Sequence, residues 1–441
     1  MNNVIQAIDR NGILKKNISW GFIFKVSGMA LSYISIPIVL NYLGEQNYGV
    51  WITIFSILSW IYTFDVGVGN GLKIRLTEAL SKKDNLLARQ YISTAYILIF
   101  AISIVLILIG SIGIYSFTFQ KALNIDYLSE SYLQKVIFIS FIFTVSNFVI
   151  GLYKQLLFSV HRSALIALTN VLLQCIVIAS VLFVDYYFDS SLFIVALIYG
   201  IANLITGIVF SFLFFRKRKH LLPQIDHFKR SKIKDITGIG IDFFVIQLCV
   251  IVIFTTDNII ITRLLGAESV TSYSVVSQFF QAFIVLWYIV SAPLTPLYTD
   301  AYVKNDINWI KNTIKRLNKL FVVFFVVVVI AVSFGEFVVG IWLDRTLEFP
   351  TYLFLFFGFF VLIRIYGDLY MSFLNAIGQL KWQLYLSVFG AIINIPLSIL
   401  FVNTFELGTS GVILASCVSL ILLSVIMPFQ TYLKLKEKSN V

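Results

Sequence analysis

Charged residues inside long apolar runs are the side chains of this 441-residue chain that could do chemistry. The main candidates among them are three cations, Lys25, Lys154 and Arg364, and two carboxylates, Asp242 and Asp257. A charge inside a bilayer is costly, so such a residue usually faces the interior of a helix bundle or a wet cavity. We therefore expect the cations to contact an anionic ligand and the carboxylates to carry a coupling ion.

Helical spacing assigns neighbours to the two lysines. Lys25 shares a small, polar stripe with Gly28, although extension of its side chain to the lipid headgroups explains it equally well. Lys154 shares a stripe with Asn147 and Gly151 and is predicted to lie about two turns inside the membrane. This stripe predicts a cavity around Lys154.

The pair Arg364 and Asp368, and the carboxylate Asp257, each allow a structural and a functional interpretation. Arg364 and Asp368 are four residues apart, so they can pair on one helix face, either as an interhelical clip or as part of a ligand site. Asp257 can be a proton- or ion-coupling carboxylate or a hydrogen-bonded structural residue.

The stretch FDVGVGNGLKIR, which begins at residue 64, has the glycine density of a phosphate-binding loop. Its G-x-G-x-G spacing displaces the third glycine of the dinucleotide fingerprint, and no strand precedes it. We predict instead a sharp turn at the cytoplasmic end of a helix, in which the acidic residue caps the chain. The turn comprises Asp65, Gly67, Gly69, Asn70 and Gly71.

Composition excludes an ordinary soluble protein. Hydrophobic residues make up 59% of the chain and charged residues 12%, whereas soluble domains have about 45–50% and about 25%. The sequence lacks a Walker A motif and an H-E-x-x-H motif, and its three cysteines are scattered through apolar runs. We therefore predict no cofactor, no metal and no catalytic domain.

Apolar runs long enough to cross a bilayer as helices occur twelve times, since a span needs about 20 mostly apolar residues. The predicted spans are 18–41, 48–70, 91–116, 133–159, 164–184, 192–215, 236–262, 270–297, 318–343, 350–375, 382–402 and 408–431.

Basic residues set the orientation of these spans. With both termini on one side, that side collects most of the 33 lysines and arginines, while the opposite loops hold only Lys121, Arg263 and Arg345. The positive-inside rule makes the basic side cytoplasmic. The net charge of +11 is then a topology signal attracted to anionic membrane lipid, and no nucleic acid is needed to explain it.

An internal repeat divides the chain. Residues 76–89 align without a gap on 298–311, and the same offset carries Leu43-Gly44 onto Leu265-Gly266. We predict an all-α membrane protein with two pseudo-symmetric six-helix bundles around a central cleft. The domains would be 1–215, a basic cytoplasmic linker at 216–235, and 236–441.

Together with YLGEQNYGVW at residues 42–51, the glycine-rich stretch resembles the Wzx-type O-antigen and polysaccharide flippases of the MOP (MATE-like) exporter superfamily. The family pattern F-D-x-G-x-G-N-G-[LI]-[RK] is matched from Phe64 to Lys73. The resemblance implies a flippase that moves an undecaprenyl-diphosphate-linked oligosaccharide to the outer leaflet of a bacterial plasma membrane by alternating access. It also implies coupling to a proton or sodium ion, and polysaccharide assembly proteins as partners.

On this interpretation Lys25, Lys154 and Arg364 would contact the diphosphate, and Asp257 and Asp242 would serve in coupling. Two other functions remain. A MOP-type drug or cation exporter would share the fold, but it would favour an apolar or anionic cavity. A membrane-embedded polysaccharide polymerase is disfavoured by short external loops and by the internal duplication.

Overall fold

The computed structural model describes residues 2–61, 67–160, 162–237, 241–291, 294–344 and 347–439. Within these ranges the regular structure is helical throughout, with no strand. The first half contains α1 (Asn2–Ser59), α2 (Val68–Ser81), α3 (Asn85–Ser116), α4 (Phe119–Leu123), α5 (Glu130–Gly151), α6 (Tyr153–Ser159), α7 (Ser163–Tyr187), α8 (Leu192–Lys217) and α9 (Arg230–Thr237). The second half contains α10 (Ile241–Leu265), α11 (Ala267–Ser291), α12 (Leu294–Val303), α13 (Ile307–Leu343), α14 (Leu353–Ala376), α15 (Lys381–Asn403) and α16 (Gly408–Ser439).

Ten helical stretches among the described residues are long and apolar enough to cross a membrane. One of them, Trp20–Ser59, covers two predicted spans, because Gly44 interrupts α1 with non-helical torsion angles. Helix α10 is not among the ten, although it overlaps the predicted span 236–262. The prediction of an all-helical, multi-pass membrane protein is confirmed, while the number twelve stays a prediction.

The chain forms two compact units. The first comprises Met1–Tyr48 and Leu58–Ile241, and the second comprises Gly49–Ile57 and Asp242–Val441. In the first unit α3 and α8 pack on α5, and in the second α14 and α15 pack on α16.

Residues 49–57 belong to the second unit through contacts with α10. The Thr53 and Thr262 hydroxyls are 2.5 Å apart, and the Asn258 side-chain amide donates to the Ser56 hydroxyl at 2.8 Å. The second unit therefore begins with a short segment of α1, well before the linker at 216–235.

Backbone geometry recurs at the offset of the sequence repeat. Gly44 and Gly266 have φ values of 74° and 90°. A second pair at the same offset, Lys83 and Asn305, has φ values of 58° and 62°. Left-handed conformations are uncommon outside glycine, so the matched pair Lys83 and Asn305 supports the repeat independently of the sequence alignment.

Helix capping recurs at the same offset. The Asp84 carboxylate caps α3 by accepting from the backbone N–H of Leu87, and the Asp306 carboxylate caps α13 by accepting from that of Trp309. Each aspartate follows one of the left-handed residues, so turn and cap are repeated as one unit. The duplication inferred from residues 76–89 and 298–311 therefore extends to local structure.

The basic linker is packed onto the first unit. Leu221 and Ile236 are fully buried in an apolar cluster with residues of α2, α3, α6 and α8. The backbone N–H groups of Gln224 and Lys229 donate to the Ser93 and Thr94 hydroxyls of α3, at 3.1 and 3.2 Å. The linker and Ile236, which follows it, thus form an ordered strap (residues 216–236) across α3.

The glycine-rich stretch meets this strap at Gly71. A Cβ atom added there would lie 1.8 Å from the Ile236 backbone oxygen. Only glycine lets α2 approach the strap so closely, which explains one glycine of the motif by packing.

We expect Gly71→Ala to destabilise the purified protein, because the added methyl group would push α2 away from the strap. Overpacking typically costs about 1–3 kcal/mol. The measurement is the apparent melting temperature of the detergent-solubilised protein. Gly113→Ala is the matched control, since a Cβ there meets nothing within 4 Å. Equal melting temperatures for the two variants would contradict the packing role.

Candidate functional site

Lys154 lies in the predicted fourth span, at a junction of two helical segments that together form one apolar stretch, Glu130–Ser159. Helix α5 ends at Gly151, α6 begins at Tyr153, and Leu152 between them has φ −57° and ψ −23°. Lys154 is therefore on the first turn of a short helix, and its exposed side chain borders two neighbouring pockets. Asn147 and Gly151, which share the predicted stripe with Lys154, line the same two pockets.

The two pockets around Lys154 have volumes of about 170 and 70 Å³. The larger is also lined by Gln155 and Gly69, and the smaller by polar residues of α7 and α8, namely Thr169, Asn170, Asn203 and Thr206. No carboxylate is among the described residues lining either pocket. One ammonium group surrounded by amides and hydroxyls is suited to an anion with several oxygen atoms.

The glycine-rich motif contributes to this site. Gly67 has φ 75° and precedes the first residue of α2, and its carbonyl accepts from the Gly71 N–H at 2.9 Å. Gly69 lines the larger Lys154 pocket. Asp65, and the side chain of Asn70, lie outside the described residues.

Lys25 is exposed on α1 and lines neither of these pockets. One turn further along, Gly28 packs against α7: a Cβ atom there would meet Asn170 Cβ at 3.7 Å. The sequence-predicted stripe of Lys25 therefore faces the helix that carries a pocket residue, while the lysine remains accessible.

Arg364 belongs to a pocket in the second unit. Its volume is about 240 Å³, and α14 provides Arg364, Asp368 and Asn375. Other polar lining groups come from α11, α15 and α16, namely Tyr288, Gln383, Ser387 and Ser424. Lys154 lines pockets of the first unit and Arg364 a pocket of the second.

Asp368 and Arg364 are each held by aromatic residues. The Asp368 Oδ2 atom accepts a hydrogen bond from the Trp287 indole nitrogen at 2.7 Å. The Arg364 guanidinium carbon lies 6.0 Å from the centroid of the Phe360 ring. Each charged group of the pair therefore has an aromatic neighbour beside the pocket.

Asp257 forms the centre of a buried polar cluster. It is 4% exposed, and its Oδ2 atom accepts from the Tyr273 hydroxyl at 2.5 Å and from the Ser416 hydroxyl at 3.3 Å. Its Oδ1 atom has no hydrogen-bond partner in the described part of the chain. A buried ionised carboxylate with an unpaired oxygen is unfavourable unless a proton or cation compensates it.

Asn394 extends the Asp257 cluster. Its side-chain amide donates to the Ser416 hydroxyl at 3.1 Å, and its Oδ1 atom has no partner among the described residues. Asn394 and Ser416 are fully buried. Two unsatisfied oxygens, on α10 and α15, therefore flank one serine, and oxygen ligands suit a proton or a hard cation.

The second predicted coupling carboxylate, Asp242, is the second residue of α10, and its side chain lies outside the described residues. Sequence reasoning missed Tyr273, Ser416 and Gln383 as site residues. Tyrosine and serine are common in helices of every kind, so no local pattern distinguishes these two. Gln383, a polar residue near the start of an apolar run, was the one detectable signal.

Comparison with known families gives two matches. The family described as Polysaccharide biosynthesis protein matches residues 14–301, and the family MatE matches residues 243–400. The first match covers more than half of the chain.

Curated relatives are similar along most of their length. A protein of Yersinia pseudotuberculosis named "Putative O-antigen export protein" is 25% identical over 84% of each chain. A protein of Salmonella typhimurium strain LT2 named "Putative O-antigen transporter" is 25% identical over 91% of each chain.

Among solved structures, an inward-facing multidrug-resistance MATE family transporter of the MOP superfamily has a TM-score of 0.80. The match covers 95% of this chain and 99% of the transporter, at 15% identity. The predicted MATE-like fold is confirmed by this match, and at this identity the likeness concerns the fold alone.

Proposed function

Because this chain belongs to the polysaccharide biosynthesis protein family, we propose that it is a flippase for an undecaprenyl-diphosphate-linked oligosaccharide. It moves this lipid from the cytoplasmic to the outer leaflet of a bacterial plasma membrane by alternating access, as a transporter rather than an enzyme. The names of its O-antigen relatives support the class of cargo. The observation that carries the proposal is the cationic, carboxylate-free lining of the Lys154 pockets among the described residues.

The chemistry of such a cargo fits these pockets. A diphosphate carries several acceptor oxygens and negative charge, and an ammonium group provides three donors with a positive charge. The amides of Asn147 and Asn170 can donate to further oxygens. The polyprenyl chain remains in the bilayer, so the protein needs to shelter only the headgroup. Lys25 is a second candidate contact during entry, since it is accessible on α1.

Coupling to a proton or sodium ion is assigned to Asp257, with Asp242 as a second carboxylate on the same helix. The unpaired Oδ1 atom of Asp257 supports this assignment. Polysaccharide assembly proteins would supply the lipid-linked unit on the inner side and consume it on the outer side.

Both termini and the basic strap are placed in the cytoplasm by the positive-inside rule. In a cysteine-free background, Ile225→Cys in the strap should be modified only after the cytoplasmic side is opened, because Ile225 is 83% exposed. Asp126→Cys, at an exposed position between α4 and α5, is the control and should react in intact cells. Modification of Ile225→Cys alone in intact cells would reverse the orientation, and modification of both positions would contradict the predicted topology.

A deletion strain tests the function itself. We expect surface polysaccharide to disappear and lipid-linked repeat units to accumulate in the cytoplasmic leaflet, with restoration by the wild-type chain. Loss of a polymerase would instead leave single repeat units on the cell surface. If ethidium accumulation rises while surface polysaccharide is unchanged, the drug-exporter alternative replaces this proposal.

A further inference from the structure

We infer that the Arg364 pocket of the second unit is a recognition site for an uncharged, hydroxyl-rich sugar of the cargo. This inference rests on the proposed function. It reassigns Arg364 from the diphosphate to the oligosaccharide.

The charges that line the pocket disfavour an organic cation and a diphosphate, the two charged ligands that a transporter of this kind would meet. The described lining contains one guanidinium, on Arg364, and one carboxylate, on Asp368. An organic cation would approach the arginine, and a diphosphate would approach the aspartate, so each would meet one like charge. A neutral ligand meets neither penalty, and this is the difference from the Lys154 pockets, whose described lining has a cation without a carboxylate.

The hydrogen-bonding groups suit hydroxyls. Arg364 can only donate and ionised Asp368 can only accept, while the amides of Asn375 and Gln383 do both. Each sugar hydroxyl also donates and accepts, so it can use neighbouring groups of opposite kind. The apolar residues Met371 and Leu420 in the same lining can cover the C–H face of a sugar ring.

One oxygen atom in the lining has no hydrogen-bond donor from the part of the protein that the structure describes. The Gln383 Oε1 atom is buried and has no hydrogen-bond partner among the described residues. An unsatisfied buried acceptor is costly, so the pocket favours a ligand that brings an O–H or N–H group to it. A simple lipid phosphate ester lacks such a group, whereas a sugar has several.

The pocket is also pre-organised. Trp287 fixes one oxygen of Asp368, and the Ser424 hydroxyl donates to the Ile363 carbonyl at 2.7 Å, which leaves its own lone pairs free to accept. Side chains that are already held in place lose less conformational entropy when a ligand binds. A volume of about 240 Å³ is smaller than the ~300–1,000 Å³ of sites for drug-sized ligands, and it suits a single ring.

The test uses the full-length protein in nanodiscs with two separate probes. The first is the free oligosaccharide that mild acid releases from the lipid-linked repeat unit, by hydrolysis of its sugar–phosphate bond, and it has neither lipid nor diphosphate. The second is farnesyl diphosphate, which has no sugar. Binding of each is measured by calorimetry or by saturation-transfer NMR.

We expect Gln383→Leu and Asp368→Asn each to weaken oligosaccharide binding by about tenfold or more, since a site built around hydroxyl groups discriminates strongly. Farnesyl diphosphate binding should be unchanged in both variants. Tyr385→Phe is the matched control: it removes a polar atom from the same helix, at a position that is 63% exposed and outside the pocket. All variants are compared at equal monodispersity and melting temperature.

The outcomes separate this inference from the proposed function. If oligosaccharide binding is insensitive to both substitutions while farnesyl diphosphate binds, the sugar site is wrong and the flippase proposal stands. If neither probe binds the wild-type protein, both fall. Binding of tetraphenylphosphonium that Asp368→Asn abolishes would overturn the sugar assignment in favour of an organic cation.

Discussion

Lys154→Gln is expected to abolish most polysaccharide export while leaving the protein folded and inserted. A charge-assisted hydrogen bond contributes about 1.5–3 kcal/mol, which corresponds to a loss of affinity of roughly 10- to 100-fold. Lys154→Arg should retain much of the activity, because it keeps the charge and can reach the same pockets. Glutamine keeps most of the length of the side chain without the charge, so it isolates electrostatics from packing.

Export is scored as surface polysaccharide in a flippase-deficient strain, normalised to protein in the membrane. Lys135→Gln is the matched control, because Lys135 is an exposed lysine on the adjoining helix α5 and lines neither pocket. Wild-type export by Lys154→Gln would remove the observation on which the proposed function depends. Equal losses for both lysines would indicate a general effect of basic charge.

Asp257→Asn should uncouple transport from its ion gradient without preventing substrate binding. Asparagine keeps the size of the side chain and can still accept from Tyr273, but it cannot take up a proton or balance a cation. A membrane potential of 100 mV supplies about 2.3 kcal/mol per charge moved. Loss of one coupled charge would therefore lower the steady-state ratio between leaflets roughly 40- to 50-fold.

The measurement uses proteoliposomes with the lipid-linked oligosaccharide on one side and an imposed proton or sodium gradient. Wild-type protein should respond to one of the two gradients, and Asp257→Asn to neither. Glu336→Gln is the control, since Glu336 is an exposed carboxylate within the apolar helix α13. A gradient response in Asp257→Asn equal to that of the wild type would show that coupling resides elsewhere.

The helical spans were predictable because lipid forces every backbone group to be bonded within its own helix, so length and hydropathy suffice. Local pairs were predictable for a similar reason: Arg364 and Asp368 are one turn apart and do line one pocket. The stripe of Lys154 was visible in the same way.

The partners of Asp257 lay beyond sequence reasoning. Tyr273 of α11 and Ser416 of α16 donate to the carboxylate, and Asn394 of α15 donates to Ser416, so only the packing of these helices assembles the cluster. Helical periodicity gives the face of a helix, but it does not identify the helix opposite. For the same reason the prediction that Lys154 and Arg364 contact one diphosphate stays a prediction: each residue lines a pocket of its own unit.

The matched left-handed turns at Gly44 and Gly266 define a register of 222 residues, from 44 to 266, along which the two repeats can be compared side chain by side chain. In this register Lys154 corresponds to Ala376, and Asp257 corresponds to Ser35. The turns have been kept in both copies, while the charged groups occur in one copy each. A chain built from two copies of either repeat would therefore reproduce the turns and carry only half of the chemistry: a cationic pocket with no coupling carboxylate, or the reverse.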